Sequence, residues 1–240
     1  MAGNYVPQIA VKANVPITMS LSVYLFSILG GLVGALIYAF KVNKNKSKTQ
    51  LLILGLIAFV ACFELYAIYL VNNGRHNRFV YNICFIYLET FLILGYLSSI
   101  IESKKIRKII LYFSLTFLIW GVINSVFIQD IWLTWHNYSF LLASLSILTF
   151  SLAFLYGITK NNEYLDRPLL SIPHFWNASI LLVFYSSAFL YFISADFLTE
   201  LDPKLVAILG SFNRTVAGIM YIVLGFSYYA PLLQSREYAK

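Results

Sequence analysis

Three residues in this chain of 240 could do chemistry because of where they lie. Glu64, Glu89 and Arg214 each fall inside a long apolar stretch, where a bare charge costs several kcal/mol unless it is paired or hydrated. Counted from the starts of their stretches, Glu64 is 13 residues in, Glu89 10 and Arg214 9. At ~1.5 Å per residue, all three come within a helical turn or two of a common midplane. Two kinds of arrangement answer to that. The charges can neutralise one another as a buried ion pair or triad that sets helix register. Alternatively they form a site inside a bundle that binds a small ligand or ion, or takes up a proton. Two carboxylates for one arginine favour the second, since the glutamate left over is expected to be neutral. Glu64 is the better candidate for that role, with Ile57, Val60, Ala61, Ala67 and Ile68 around it on its helix. Under the first arrangement, Arg214→Ala should destabilise far more than Arg214→Lys.

The faces carrying these residues fit a site. Around Arg214 the positions at helical spacing are Ala207, Gly210, Ser211, Ala217, Gly218, Tyr221, Gly225 and Tyr228. A small, hydroxylated face lets helices approach closely, and an arginine on it is expected to point into protein. The heptad stripe Asn82, Glu89, Tyr96 makes one face of its helix polar, and Asn124 and Asn213 add amides in the apolar stretches. The candidate ligand- or ion-binding set is therefore Glu64, Asn82, Glu89, Tyr96, Asn213, Arg214 and Tyr221.

Signatures of catalysis are missing. His76, His136 and His174 fall in connections, and no pair sits at the spacing that puts two histidines on one helix face, so no metal ligand is expected. There is no Walker motif, no aspartate-rich pair for diphosphates, and no lysine in the last apolar stretch for a retinal Schiff base. No cofactor is expected. An intramembrane lipid-modifying enzyme is the weakest reading, because no nucleophile–base set is visible.

The elements that must position these residues are set by composition. The chain is 60% hydrophobic and 11% charged, with mean hydropathy +0.77; a soluble domain carries about 25% charge. A soluble fold is excluded, and so is a disulfide scaffold, since Cys62 and Cys84 both lie in apolar stretches. Windows of about 20 apolar residues fall at 17–40, 51–72, 79–101, 109–128, 138–158, 175–197 and 205–230. The expected fold class is all-α: one domain over 1–240, a polytopic transmembrane bundle of seven helices. A short arm, 1–16, precedes it and does not read as a signal peptide.

Orientation follows from the lysines and arginines between the spans. Twelve follow spans 1, 3, 5 and 7, against four on the other side. The positive-inside rule then predicts the N-terminus outside and the C-terminus in the cytoplasm. Asp130, Asp196, Glu200 and Asp202 fall on the outer side, as do Trp132 and Trp135, with Trp176 at the inner interface. The net charge of +7 is thus a topology signal with some attraction to anionic membrane lipids, and calls for no nucleic acid. No inverted repeat of the transporter kind is visible. Gly30 and Gly34, overlapped by Gly31 and Ala35, predict a close helix contact, with an internal neighbour favoured over a dimer. Phe175, Trp176, Phe184, Tyr185, Phe189, Tyr191 and Phe192 crowd the sixth span. They suit either a lipid-facing belt or an apolar pocket.

Two segments, NNGRHNRFVYNICFIYLETFLILGY and PHFWNASILLVFYSSAFLYF, resemble small bacterial seven-helix membrane proteins, and through them the seven-helix input regions of sensor histidine kinases. That resemblance implies a sensory or accessory role in the bacterial cytoplasmic membrane, and assigns no catalytic residue. The chain ends six residues after Gln234, so a signal is expected to pass to a separate output protein. The leading expectation is a receptor-like sensor or accessory subunit that binds a small-molecule ligand, lipid or proton. The alternative is a small secondary transporter, or an ion or proton channel, using the same carboxylates.

Overall fold

Caps, more than apolar runs, decide where the helices begin. The computed structural model describes residues 21–42, 47–160 and 168–232, all-helical apart from short connections. Seven helices are long and apolar enough to cross a membrane: α1 (Leu21–Lys41), α2 (Lys48–Asn72), α3 (Arg78–Ile100), α4 (Lys104–Ile128), α5 (Asn137–Lys160), α6 (Pro173–Leu201) and α7 (Pro203–Leu232). Ser47 caps α2 by accepting the Gln50 N–H, and Ser103 caps α4 by accepting that of Ile106. Asp202 alone joins α6 to α7 and accepts from the N–H groups of Lys204 and Leu205. Pro173 and Pro203 open their helices, where a missing N–H costs nothing. The expected arm 1–16 and the residues Lys44, Lys46, Arg167, Arg236 and Lys240 lie outside the described residues, as do the side chains of Asp196 and Glu200.

The helices close into a ring. α1 packs most extensively on α7, and α6 lies between α5 and α7. α2 meets α1, α3 and α7, while α3 reaches α2, α4 and α5 and so sits towards the middle. α4 is peripheral: Leu111, Tyr112, Leu118, Ile119, Val122, Val126 and Phe127 are all exposed. Large exposed side chains such as Phe26, Phe40, Leu190 and Phe212 continue that apolar surface around the ring. A water-soluble monomer does not present so much apolar surface, whereas a membrane helical bundle does. The connections gather at two ends. One end carries Lys41, Lys48, Lys104, Lys105, Arg107, Lys108 and Lys160, and is called the lysine-rich end below. The far end carries residues 73–77, 129–136 and Asp202.

Glycine sets the tightest contact in the ring. A Cβ on Gly31 would lie 2.3 Å from the Tyr221 carbonyl oxygen, and one on Gly225 would lie 2.1 Å from the Gly31 oxygen. α1 and α7 therefore touch backbone to backbone, which makes the glycine contact internal. Gly34 faces the Phe226 ring, while Gly30 has open space around it. Of the glycines expected at a close contact, Gly31 and Gly34 thus face α7, with Gly225 opposite Gly31, and Gly30 does not. Gly31→Val is expected to cost about 2–3 kcal/mol through overpacking, and Gly30→Ala to be neutral within about 0.5 kcal/mol. Unfolding titrations in detergent distinguish the two; equal effects would deny the close crossing.

Candidate functional site

The glycine crossing brings two tyrosines together. Tyr24 lies two turns before Gly31 on α1, and Tyr221 is the residue whose carbonyl abuts Gly31. Their rings pack with centroids 6.4 Å apart. Each hydroxyl donates to a different carboxyl group. Tyr24 donates to Glu64 on α2 at 2.9 Å, and Tyr221 donates to Glu89 on α3 at 3.0 Å. Tyr81 on α3 donates to the second oxygen of Glu64 at 2.7 Å. Both carboxyl groups are buried, Glu89 completely.

The two glutamates differ in what surrounds them. Glu64 has a hydroxyl on each oxygen. Glu89 has one, and its Oε2 is buried with no hydrogen-bond partner among the described residues. The Tyr185 hydroxyl on α6 is likewise buried and unpartnered among them, and lies within electrostatic reach of Glu89. Local polarity therefore reverses the order expected from sequence: Glu64 is the better solvated carboxyl and Glu89 the poorer. Two tyrosines from other helices account for this, since the immediate neighbours of Glu64 on α2 are apolar as read.

Arg214 does not complete a triad. No carboxylate lies within 4 Å of it among the described residues, and it is exposed. It lies within electrostatic reach of Glu64, Tyr81 and Tyr191, on three different helices. The physical reason is axial position. Arg214 precedes Tyr221 by seven residues on the same face, which is ~10 Å nearer the far end at ~1.5 Å per residue. It is Tyr221 that reaches the level of Glu89. α7 runs 30 residues against 21 for α1, or ~45 Å against ~32 Å, where the hydrocarbon layer is ~30 Å. Helices of such unequal length do not start at one plane, so residue counts from their starts misalign.

The other sequence candidates go to separate places. The Asn82 amide donates to the carbonyls of Ile131 and Thr134 and accepts from the His136 N–H. It pins the 129–136 connection and does not meet Glu89. A π-helical stretch over Tyr81–Leu88 explains the separation, because its wider turn breaks the heptad register that put Asn82 and Glu89 on one face. Tyr96, two turns from Glu89 towards the lysine-rich end, shares its hydroxyl with His174 Nδ1 at 3.0 Å and the Asn177 amide at 2.9 Å. Asn213 accepts from Ser187 on α6. Only Glu64, Glu89 and Tyr221 of the seven candidates join the central group. Asn124 serves a different cluster, donating to Ser139 and Gln129.

Tyr24 and Tyr81 are not among the candidates that the sequence marks, and Tyr185 stands there only among the crowded aromatics of the sixth span. Their signal was weak, because tyrosine is common here and only a known helix order tells which rings face inward. The sixth-span aromatics turn largely inward: Phe184 and Tyr185 are buried, and Phe192 packs 4.4 Å from Phe140. His136 lies in a connection as expected, whereas His174 does not. His174 lies in the first turn of α6, and His136 is buried just before α5, where its Nδ1 meets the Tyr87 hydroxyl at 2.8 Å. Gly121 makes room for that tyrosine, since a Cβ there would lie 2.7 Å from its ring.

Burial pushes the His136 imidazole below its ordinary value of 6.5, against smaller opposing effects of the Gln129 backbone and Asp130. The folded chain therefore binds this proton less readily than the unfolded chain. Its contribution to stability is present above about pH 6.5 and is lost as pH falls below it. Stability is expected to fall in thermal unfolding as pH drops below about 6.5, and His136→Asn to remove that part of the slope. An unchanged slope would deny the role.

Comparison with models of known protein families, with curated proteins and with solved structures finds no match to this chain.

Proposed function

We propose that this chain is a receptor-like integral membrane protein that takes up a proton, or a small ligand, at its buried glutamates and hands the change to a partner protein. The observation that carries the reading is Glu89: fully buried, bonded on one oxygen to Tyr221, with the other oxygen unpartnered among the described residues near the unpartnered Tyr185 hydroxyl. A purely structural ion network would have brought Arg214 against it. Ionising Glu89 in so dry a place is costly, and any charge change there must be answered by Tyr221 on α7 and Tyr185 on α6. Those helices pack on each other, so the response can pass along them towards the lysine-rich end. The bacterial cytoplasmic membrane, with the N-terminus outside and the lysine-rich end in the cytoplasm, is part of the same proposal. It is supported by the positive-inside count and by the resemblance noted above.

A second reading, a small transporter or a proton or ion channel, is favoured by the axial spread of polar groups on α3. Tyr81 with Glu64 lies towards the far end, Glu89 with Tyr221 in the middle, and Tyr96 with His174 and Asn177 towards the lysine-rich end. Reconstitution into liposomes separates the readings. The receptor reading expects no sustained proton flux, with pH-dependent hydrogen exchange in the 101–103 connection and the first turn of α4. Sustained flux that Glu89→Gln abolishes would favour transport. Neither response would overturn both.

A further inference from the structure

Arg214 is the one candidate charge left without a role by the carboxyl–tyrosine group, and its surroundings indicate one. It is exposed, no carboxylate lies within 4 Å of it among the described residues, and it lies within electrostatic reach of side chains of α2, α3 and α6. Arg214 precedes Tyr221 by two turns on the α7 face that meets Glu89, and Gly210, one turn before it, lies against Tyr191 of α6, where a Cβ would be 3.1 Å from the hydroxyl. From Tyr191 a continuous row of half-buried aromatic rings runs on. Tyr81 packs on Trp135 at 5.6 Å, Trp135 on Phe192 at 6.3 Å, and Phe192 on Tyr191 at 5.1 Å. None of these four rings is fully buried, so each has surface to offer. Trp135 is held in place by the connection that Asn82 pins, one residue from His136.

A guanidinium fits a carboxylate or phosphate, which it grips with two parallel N–H donors. The rings fit an apolar body, stacked or laid flat against them. We propose that Arg214 and the Tyr81–Trp135–Phe192 wall form a binding site for an amphipathic anion: a carboxylate or phosphate carried on an aromatic or acyl body. This rests on the reading of the chain as a ligand-responsive bundle and names the ligand's chemistry. Occupancy has a direct consequence. The anion offsets the guanidinium charge that lies within reach of Glu64, so binding at the far end changes the field at the carboxyl pair. Two sources of such an anion exist, a free solute and the headgroup of an anionic lipid.

The test uses the purified full chain in phosphatidylcholine nanodiscs, titrated with 2-naphthoate and oleate. The uncharged alcohols with the same bodies serve as controls. The readouts are the thermal midpoint and tryptophan fluorescence. Saturable stabilisation by the acids and not the alcohols is expected, weakened about tenfold or more by Arg214→Gln and severalfold by Trp135→Leu, with Arg214→Lys in between. If phosphatidylglycerol nanodiscs give the same Arg214-dependent gain without added acid, the source is a lipid headgroup. A gain confined to the soluble acids identifies a free solute. Acids and alcohols acting alike, or Arg214→Gln binding as wild type does, would overturn the proposal. So would a large loss of ligand-free stability in Arg214→Gln, since that would make the arginine structural. Glu89→Gln is expected to bind the same anions, so failure of the proton reading and failure of this site are told apart.

Discussion

Glu89→Gln is expected to abolish the pH response of the bundle while leaving it folded. Glutamine keeps the length and shape of the side chain, so the bond from Tyr221 now seen at 3.0 Å still has its acceptor. The second position becomes an amide N–H, which can donate towards the Tyr185 hydroxyl, a group that has no partner among the described residues. What disappears is the ability to gain or lose a proton. Exchanging an ionisable group in a dry core for a neutral isostere of similar volume is often neutral or stabilising. Stability in detergent should therefore stay within about 1 kcal/mol of wild type or rise, while pH-dependent hydrogen exchange or flux is lost. Loss of folding with no separate effect on the pH response would mean that Glu89 is structural.

The second large effect concerns Glu64. Tyr24→Phe and Tyr81→Phe each remove one hydroxyl from a carboxyl group that is 3% exposed. A hydrogen bond to a charged group contributes ~1.5–3 kcal/mol, and the double variant leaves the acid buried without either donor. A loss of about 3–6 kcal/mol is expected for the double variant, with each single costing less than half of it, since one hydroxyl still shields the acid after the other has gone. Adding Glu64→Gln should restore much of that loss, because the demanding charge is gone. An unfolding titration of the four proteins forms the cycle. A loss below about 1 kcal/mol, or no rescue by glutamine, would mean the tyrosines do not hold Glu64.

The seven helices were legible because apolar runs of membrane length are hard to mistake. Their starts were less so. α4 begins at Lys104, five residues before the apolar run at 109, because Ser103 caps it and its basic first turns are helical without being apolar. α2 likewise begins at Lys48 behind Ser47. Glu64 and Glu89 stood out for the cost of a charge in their stretches, and both lie in the central group. The partner was misread. An arginine on a small-residue face looked like the natural counter-charge, but the small residues Gly31 and Gly225 serve the α1–α7 contact, and Arg214 lies about three turns along α7 from Gly225. A tyrosine hydroxyl stands well out from the backbone, so Tyr24 and Tyr81 act from helices and turns that spacing within one stretch cannot connect. Asn82 shows the other limit: the π-helical stretch over Tyr81–Leu88 has no signature in the residues, and it undoes the heptad.

The infrared carbonyl band of protonated carboxylic acids, recorded across pH on the protein in lipid nanodiscs, reports on the buried glutamates directly. If Glu89 is the group that takes up the proton, the wild type shows a band from a buried protonated carboxyl that disappears as pH rises. Glu89→Gln lacks that band, and Glu64→Gln keeps it. A band that does not change with pH, or one that persists unaltered in Glu89→Gln, would contradict the assignment of proton uptake to Glu89.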